Sequence, residues 1–345
     1  MNRVQWSETH DKTEWDDFVM QNGGSVFHTW RWRKVMESTG AKSLYLACRN
    51  SKGALLAVCP FFFEKAGYRL QLLDSLPIAH MGGPIIDYKT ANVSTTMESL
   101  PKSVKFSISN PILSMVLRVH DPLIVKSLRG LGFGCDADTG LFILDLLEKA
   151  PQDIWNQGFH KHERQAVKFY EESDASFGLA RHESEYTDFW SLYQESLQRK
   201  EAHPMSPDFL TALRLNFGEQ FQVAVACFEG KTVAAQSLIC DPRNSMIHFA
   251  MAGYSRSKNI HSPAVYLNWK TIAWASENAF RYINFGPASS DPKDLIHKFK
   301  SKFCGKPIIR YKFTLPTTAI PYLVARRISR ALRGARRSVV SNNEE

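Results

Sequence analysis

The chain has 345 residues, enough for two domains that each bury a hydrophobic core. Its hydrophobic content of 44% and aromatic content of 12% are typical of a globular protein and exclude an intrinsically disordered chain. The formal net charge of +9 favours an anionic partner, such as tRNA, a phosphorylated ligand or a lipid surface.

No run of the sequence approaches the roughly 18 uninterrupted apolar residues that a membrane span needs. Residues 1–16 are polar and acidic and contain no apolar signal core. The six cysteines are scattered without a CxxC pair, and most fall in apolar strands, which indicates reduced core thiols. We therefore expect a cytoplasmic protein. No pattern in the sequence requires a metal, so we expect no metal site.

Two stretches of the chain, 47–57 and 226–235, read as a strand, a tight turn and a second strand. Helical patterns precede both hairpins, at 15–20 and 29–38 in the first half and at 185–198 and 208–216 in the second. A hairpin that follows helices and precedes a strand–helix–strand ending, present twice, indicates a duplicated α/β module. Chance similarity between common hairpins is the alternative.

The junction between the two halves is predicted within residues 141–173. Residues 141–146 read as a strand, and Pro151 opens a long helix at a position where proline is tolerated. On this helix Lys161, Arg164 and Lys168 share one face at i, i+3 and i+7. Such a basic stripe is either a solvated face or a site for a phosphate or carboxylate, which arginine binds through its planar fork.

The stretch 248–313 alternates short apolar strands with helices, which implies crossover connections and an α/β layer. Its strand 281–285 is predicted to end at Gly286, where ligands usually bind in such sheets. A polar loop follows, and then a short helix that holds Lys300. This order of elements predicts an active site at the carboxyl end of the strand.

The tail at 322–340 combines six arginines with apolar residues at helical spacing. Leu323, Val324, Ile328 and Leu332 share one side of the predicted helix, with arginines around them. This amphipathic pattern is typical of a helix that lies on an anionic membrane surface. A frayed, solvated basic tail is the alternative.

Several short motifs, taken in order, resemble the FemAB-like branch of the GNAT acyltransferase superfamily, which includes BioF2-like acetyltransferases and peptidoglycan interpeptide-bridge aminoacyltransferases. Each motif is weak alone, but their order and spacing together are fairly specific. The motifs are Val26-Phe27-His28-Thr29-Trp30, Leu76-Pro77, Gly82-Gly83-Pro84, Ile143-Leu144-Asp145-Leu146 with Trp155, the 161–166 segment similar to the family's basic helix, Asn284-Phe285-Gly286, and Phe299-Lys300-Ser301-Lys302-Phe303.

The resemblance implies an α/β (α+β) fold of two tandem GNAT-like modules with mixed sheets, followed by the basic amphipathic C-terminal helix. We place the N-terminal module at 1–150, the C-terminal BioF2-like module at 151–315 and the tail at 316–345. The implied reaction moves an acyl or aminoacyl group from an activated donor to an amine. The donor is a co-substrate (acyl-CoA, acyl carrier protein or aminoacyl-tRNA), and no bound cofactor is expected.

Three features depart from the family pattern. Cys304 replaces the usual glycine of the FKxxFG signature, and Gly305 follows one place later. The loop at 254–261 lacks the glycine-rich turn with which ordinary GNAT enzymes wrap the coenzyme A pyrophosphate, although a helix N-terminus can still receive a phosphate. A coiled-coil arm for tRNA, present in some Fem enzymes, is missing, which weakens the tRNA-donor interpretation.

The matching family lysine implies that Lys300 stabilises an oxyanion or a phosphate; a surface lysine beside Lys298 and Lys302 is the alternative. Asp291 and Ser289 follow Gly286 and would orient the acceptor amine or pass its proton, although helix capping explains Asp291 equally well. The remaining predicted substrate-binding residues are Tyr254, Arg256, Lys161, Arg164 and Gly286.

We therefore predict an acyltransferase that acylates an amine on a cell-envelope or polysaccharide precursor, with 322–340 contacting the anionic inner membrane surface. A small-molecule N-acyltransferase that uses acyl-CoA or acyl carrier protein is the first alternative. The second is a catalytically idle GNAT scaffold that binds tRNA or anionic lipid through its basic surface.

Overall fold

The computed structural model describes residues 4–65, 71–106, 112–202, 204–256 and 261–316. Contacts divide the chain into two compact units: unit 1 runs to Asp138 and resumes at Arg310, and unit 2 is Thr139–Ile309. The module boundaries predicted from the sequence, after residues 150 and 315, stay a prediction. The predicted C-terminal amphipathic helix, including residues 322–340, lies outside the described residues.

Unit 1 is a mixed sheet with helices packed against it. Its strands follow the order β1-β2-β3-β4-β6, and the last residues of β13 pair with β6. The elements are β1 (Val4–Glu8), α1 (Lys12–Gln21), α2 (Trp30–Ser38), β2 (Lys42–Asn50), β3 (Leu55–Lys65), β4 (Gln71–Asp74), β5 (Ile85–Ile86), α3 (Val93–Phe106), β6 (Ile112–Val119) and α4 (Pro122–Gly130), with β7 (Gly134–Asp145) leading out of the unit.

Unit 2 is a second mixed sheet, with the order β7-β12-β11-β10-β9-β8. Its elements after β7 are α5 (Pro151–Asp153), a π-helical turn (Ile154–Gly158), α6 (Lys161–Glu171), β8 (Ser176–Leu179), α7 (Glu183–Gln198), α8 (Pro207–Phe217), β9 (Phe221–Phe228), β10 (Lys231–Asp241), β11 (Met246–Tyr254), α9 (Pro263–Glu277), β12 (Tyr282–Ala288), α10 (Leu295–Ser301) and β13 (Lys306–Pro316).

Both predicted hairpins are confirmed, as β2–β3 and β9–β10. Gly53 has φ +83° in the first turn, and the Asn50 side-chain oxygen accepts hydrogen bonds from the amides of Lys52 and Ala54. The second turn places Glu229 and Gly230 at φ +52° and +70°, the left-handed pair that a tight two-residue hairpin requires.

Each unit encloses a hydrophobic core of its own. The core of unit 1 packs Leu46 and Phe61 of the hairpin against Leu100 of α3. The core of unit 2 packs Ile247 and Ile283 of two adjacent strands against helices α6 and α9, which contribute residues such as Tyr170 and Ile272. The fold is thus α/β with two modules, as predicted from the sequence.

The long helix predicted from Pro151 is wrong. Pro151 opens the single turn α5, which widens into the π-helical turn and ends when Phe159 becomes extended. Gly158 explains the break, since a Cβ there would lie 2.2 Å from the backbone oxygen of Lys302. The helix restarts at Lys161, where the amide of His160 donates to the side chain of Glu163. Among the described residues, no helix is long and apolar enough to cross a membrane.

Candidate active site

The sheet of unit 2 opens between two parallel strands. Strands β11 and β12 pair over Met246–His248 and Tyr282–Asn284. Beyond these three rungs β11 continues to Tyr254 and β12 to Ala288, with no further pairing between them among the described residues. The carboxyl ends of the two strands therefore separate, and such a separation is where α/β sheets bind ligands.

The floor of this opening is the outer face of β11. Ala250 and Ala252 are exposed although β11 lies between two other strands, whereas Phe249, Met251 and Gly253 are buried. The register with β10 shifts between Gln236 and Leu238, so β11 contains a bulge at this point. Alanine at both open positions keeps the space free.

Helix α7 supports the end of β11 from the packed side. A Cβ on Gly253 would lie 2.2 Å from the backbone carbon of Leu192, so only glycine permits this approach. Ser196 accepts a hydrogen bond from the Tyr254 amide at 3.2 Å, and Arg199 donates to the Tyr254 carbonyl at 2.8 Å. Ser196 of α7 and Arg199, the residue that follows α7, thus hydrogen-bond to the backbone of Tyr254 at the end of β11, where β12 does not pair with it.

Gly286 lies inside β12 rather than at its end, which corrects the predicted boundary. Its φ of +78° coincides with an irregularity in the pairing with β7, where a left-handed residue is needed. Asn284 accepts from the Gly286 amide at 2.8 Å and donates to Nδ1 of His248 at 3.2 Å. Burial lowers the pKa of His248 to about 3, so the imidazole stays neutral and fixes this bend.

Lys300 reaches the end of β12 from α10. Its Nζ donates to the carbonyl oxygen of Pro287 at 2.9 Å, and the side chain is half-buried. Burial and the positive charge of Lys200 lower the pKa of Lys300 to about 8, with Asp294 opposing the shift. Lys300 is therefore mostly a cation at neutral pH, and two of its N–H groups have no partner among the described residues and can bind a ligand.

Ser289 and Asp291 lie in the loop between β12 and α10. The Ser289 hydroxyl accepts from the amide of Asp291 at 3.1 Å, and the exposed Asp291 carboxylate accepts from the amide of Lys293 at 2.9 Å. The alternative that Asp291 caps the helix is wrong, because Asp294 accepts from the amides of the first turn of α10. His297 donates from Nδ1 to the carbonyl oxygen of Ser289 at 2.9 Å.

Tyr254 and Arg256 lie at the end of β11 in a basic setting. The guanidinium groups of Arg199 and Arg256 lie 5.4 Å and 5.8 Å from the centre of the Tyr254 ring. Lys200 follows Arg199 and lowers the pKa of Lys300, which places positive charge on both sides of the opening. The sequence analysis missed Arg199 and Lys200, since nothing in the local pattern joins α7 to β11.

Lys161 and Arg164 lie on α6, as predicted. Lys161 is exposed, whereas Arg164 donates from Nε to the carbonyl of Trp155 at 3.0 Å and from Nη2 to that of Asn156 at 3.1 Å. Arg164 therefore satisfies two backbone carbonyl groups of the π-helical turn. No hydrogen bond or ion pair among the described residues joins either side chain to Lys300.

A wide groove of about 650 Å³ lies elsewhere, in unit 1, and is lined by several carboxylates. Three of the four carboxylates have local partners. Asp11 caps α1 and Glu14 pairs with Arg49, while Asp87 accepts from the amide of Lys89. We assign no chemistry to this groove, because three of its carboxylates stabilise the local fold.

Comparisons with known proteins agree with this geometry. Residues 158–300 match the family model described as an acetyltransferase (GNAT) domain. This stretch includes β11, β12 and Lys300. A search of curated protein sequences gave no significant match.

Solved structures extend the similarity to nearly the whole chain. FemX is 12% identical with a TM-score of 0.66, covering 90% of this chain and 97% of its own. L-PGS from Bacillus licheniformis is 14% identical with a TM-score of 0.61, covering 95% and 97%. A tandem GNAT protein from the clavulanic acid pathway is 9% identical with a TM-score of 0.59, covering 92% and 100%. These likenesses confirm the predicted α/β fold of two tandem GNAT-like modules.

Proposed function

We propose that this chain is an acyl- or aminoacyltransferase that moves an activated acyl group to an amine on a cell-envelope or polysaccharide precursor. The observation that carries the proposal is the opening between β11 and β12, with a half-buried lysine cation held at its edge. The GNAT domain match spans this opening and supports acyl transfer.

The reaction requires three conditions in one place. The acceptor amine must lose a proton, the carbonyl oxygen needs a donor for its developing negative charge, and both reactants must be held close together. The amine nitrogen bonds to the carbonyl carbon, and the bond from that carbon to the donor's sulfur or oxygen breaks. The proton released from the amine ends on the departing thiol or hydroxyl.

In the proposed mechanism Lys300 donates hydrogen bonds to the oxyanion or to a phosphate of a substrate. Ser289 and Asp291 orient the acceptor amine, and Asp291 accepts its proton and passes it to the departing thiol or hydroxyl. Tyr254 and Arg256 contact donor or acceptor from the end of β11, where positive charge attracts an anionic substrate.

The fold neighbours support an aminoacyl or acyl donor without choosing between them. The resemblance to Fem enzymes favours aminoacyl-tRNA, while the match to an acetyltransferase domain favours a thioester. A thermal-shift titration with coenzyme A separates the two, since a ligand that binds only the folded state raises the melting temperature. Stabilisation at micromolar coenzyme A favours the alternative of a small-molecule N-acyltransferase.

Replacing Lys300 tests the catalytic assignment. We expect Lys300→Ala to reduce acyl transfer at least tenfold with an unchanged melting temperature, because a cation at the carbonyl stabilises the transition state. The matched control is Lys298→Ala, which removes an exposed charge from the same helix. Full activity in Lys300→Ala would remove this residue from the mechanism.

The pH dependence distinguishes a cation from a base at this position. The pKa of Lys300 is lowered to about 8, so the charged form dominates below pH 8 and is lost above it. We expect the rate to fall as the pH rises through about 8, with the fall absent in Lys300→Arg. A rate that rises through the same range in the wild type but not in Lys300→Arg would make Lys300 a base.

The proposed macromolecular contacts rest on charge. Peripheral membrane contact through residues 322–340 is tested by tail deletion with liposome co-sedimentation, and unchanged lipid binding ends that idea. Mass spectrometry of tRNA and small molecules carried through native purification tests the donor. Strongly salt-dependent RNA binding without turnover of any acyl donor would favour the idle scaffold.

A further inference from the structure

Helix α10, which carries Lys300, is too short to hold its own position. It spans seven residues, and isolated helices of this length are unstable in water. Its first turn is fixed by the Asp294 cap and by the hydrogen bond from His297 to the Ser289 carbonyl. Its last turn needs a separate anchor, and that turn sets where the Lys300 ammonium lies.

Glu163 supplies a buried charge at that last turn. Its side chain is 3% exposed and forms an ion pair with Nζ of Lys302, two residues beyond Lys300. Burial alone would raise the pKa of Glu163, but hydrogen bonds from Lys302 and from backbone amides outweigh it, and the pKa lies below its usual value. A charged carboxylate therefore faces the end of α10.

The surrounding contacts leave little freedom to this end of the helix. The Lys302 carbonyl packs against Gly158, where a Cβ would lie only 2.2 Å away. The ring of Phe303 is fully buried, with centroid distances of 5.6 Å to both Phe159 and Phe285. Phe285 precedes Gly286 in β12, so the anchor of α10 also touches the strand that borders the opening.

We propose that Glu163 is a positioning residue for Lys300. Its carboxylate holds Lys302 and thereby the last turn of α10, which keeps the Lys300 ammonium at the Pro287 carbonyl. This proposal rests on the role of Lys300 in the proposed function. The sequence motif at 161–166 contains Glu163 but gives it no role, since its partner lies far along the chain.

Competitive acetylation of the lysines, read by mass spectrometry across pH 6–11, measures the titration of Lys300 without reference to any enzymatic activity. In Glu163→Gln the shape of the side chain is kept and the charge is lost, so the ion pair no longer holds Lys302 and the last turn of α10. We expect the Lys300 midpoint to rise by at least 0.5 pH units, because an ammonium that leaves its half-buried position loses the burial that lowers its pKa.

Kinetics then connect the position to the reaction. In Glu163→Gln we expect kcat to fall at least fivefold with KM within twofold, and the high-pH limb of kcat to move to higher pH with the Lys300 midpoint. Lys302→Arg keeps an ion pair and should retain wild-type values, and Lys298→Met serves as the control for simple loss of charge on α10. A folded Glu163→Gln with an unchanged Lys300 midpoint and kcat overturns the proposal.

If Glu163→Gln does not fold, Lys302→Met breaks the same pair from the exposed side. An unchanged Lys300 midpoint in that variant likewise overturns the proposal. Failure of the proposed function itself looks different: the wild-type protein transfers no acyl group from any donor, while the acetylation midpoints still shift between wild type and variants.

Discussion

The space beside a pair of parallel strands is filled in unit 1 and open in unit 2. Each contains a pair of parallel strands, β4 with β6 in unit 1 and β11 with β12 in unit 2. In unit 1, β4 ends at Asp74 and the chain turns back along β6, so that a Cβ on Gly83 would lie 2.4 Å from the side chain of Val119. Arg310, buried in unit 1, donates to the carbonyls of Ala79 and His80 and holds this loop.

In unit 2 both strands continue past their last shared rung, and Ala250 and Ala252 are exposed between them. The hollow that remains beside the loop of unit 1 has a volume of only about 120 Å³. A pair of parallel strands alone therefore does not form a site. About ten residues of loop decide whether the opening is filled, and we expect the chemistry in unit 2 and a scaffold in unit 1.

Filling the opening of unit 2 should have the largest effect. Ala252→Phe places a ring where the reactants are proposed to meet, so we expect kcat/KM to fall at least a thousandfold, about 4 kcal/mol of transition-state stabilisation. The position is exposed, so the melting temperature should stay within about 2 °C of wild type. Ala252→Ser is the matched control, and activity in Ala252→Phe close to that of the serine variant would place the reaction elsewhere.

Releasing the loop of unit 1 should cost stability and leave the chemistry intact. Arg310→Met removes a buried guanidinium that satisfies two carbonyls, and we expect the free energy of unfolding in urea to fall by about 3 kcal/mol. The kcat of the folded protein should remain within twofold. Arg243→Met removes an exposed arginine and should change neither quantity. A loss of activity in Arg310→Met at temperatures where it is folded would give unit 1 a catalytic role.

The sequence predicted those parts of this comparison that depend on local signals. Alternating apolar residues and the turns at Gly53 and Gly230 gave both hairpins, and the run after His248 gave the strands and helices around Lys300. The sequence could not show which opening is filled. That depends on contacts between distant residues, such as Arg310 with the carbonyl of Ala79, 231 positions away.

The same limit applies to the candidate site. Lys300 was found through a motif, but the exposure of Ala250 follows from the path of β12, and no pattern within β11 reveals it. Arg199 reaches Tyr254 across 55 positions. The uninterrupted helix from Pro151 was predicted because its period continues through the break, whereas the cause of the break is the approach of Lys302 to Gly158.

Each unit contains a buried histidine whose protonation in acid should lower the stability of the fold. Burial lowers the pKa of His28 in unit 1 to about 4 and that of His248 in unit 2 to about 3, from 6.5. The stability that each contributes is full above pH 6.5 and is lost as the pH falls through the range down to the folded pKa. We expect each to remove about 2.5 kcal/mol of unfolding free energy between pH 7 and 4.5.

Urea unfolding at both pH values checks this expectation. The acid loss should shrink by about 2.5 kcal/mol in His28→Gln and equally in His248→Gln, and stay unchanged in His10→Gln, whose side chain is exposed. Between pH 4 and 3 the contribution of His248 should grow more than that of His28, whose folded pKa is about 4. An acid loss that persists in both variants would place the titrating groups elsewhere.

The smallest effect concerns backbone strain at one residue of each unit. Cys304 has φ +57°, a left-handed conformation that favours glycine, and it stands where the FKxxFG signature has glycine. We expect Cys304→Gly to raise the unfolding free energy by about 1 kcal/mol and to leave kcat unchanged.

Leu76 in the loop of unit 1 has a similar φ of +54° but is completely buried, so Leu76→Gly should lower the unfolding free energy by about 2 kcal/mol although it relieves the same backbone strain. Changes of opposite sign in the unfolding free energy, measured in urea, would show that backbone conformation determines the effect at Cys304 and that packing determines it at Leu76. If Cys304→Gly is destabilising instead, the thiol contributes packing that outweighs the strain, and the departure from the signature is an adaptation of the contact with Gly158.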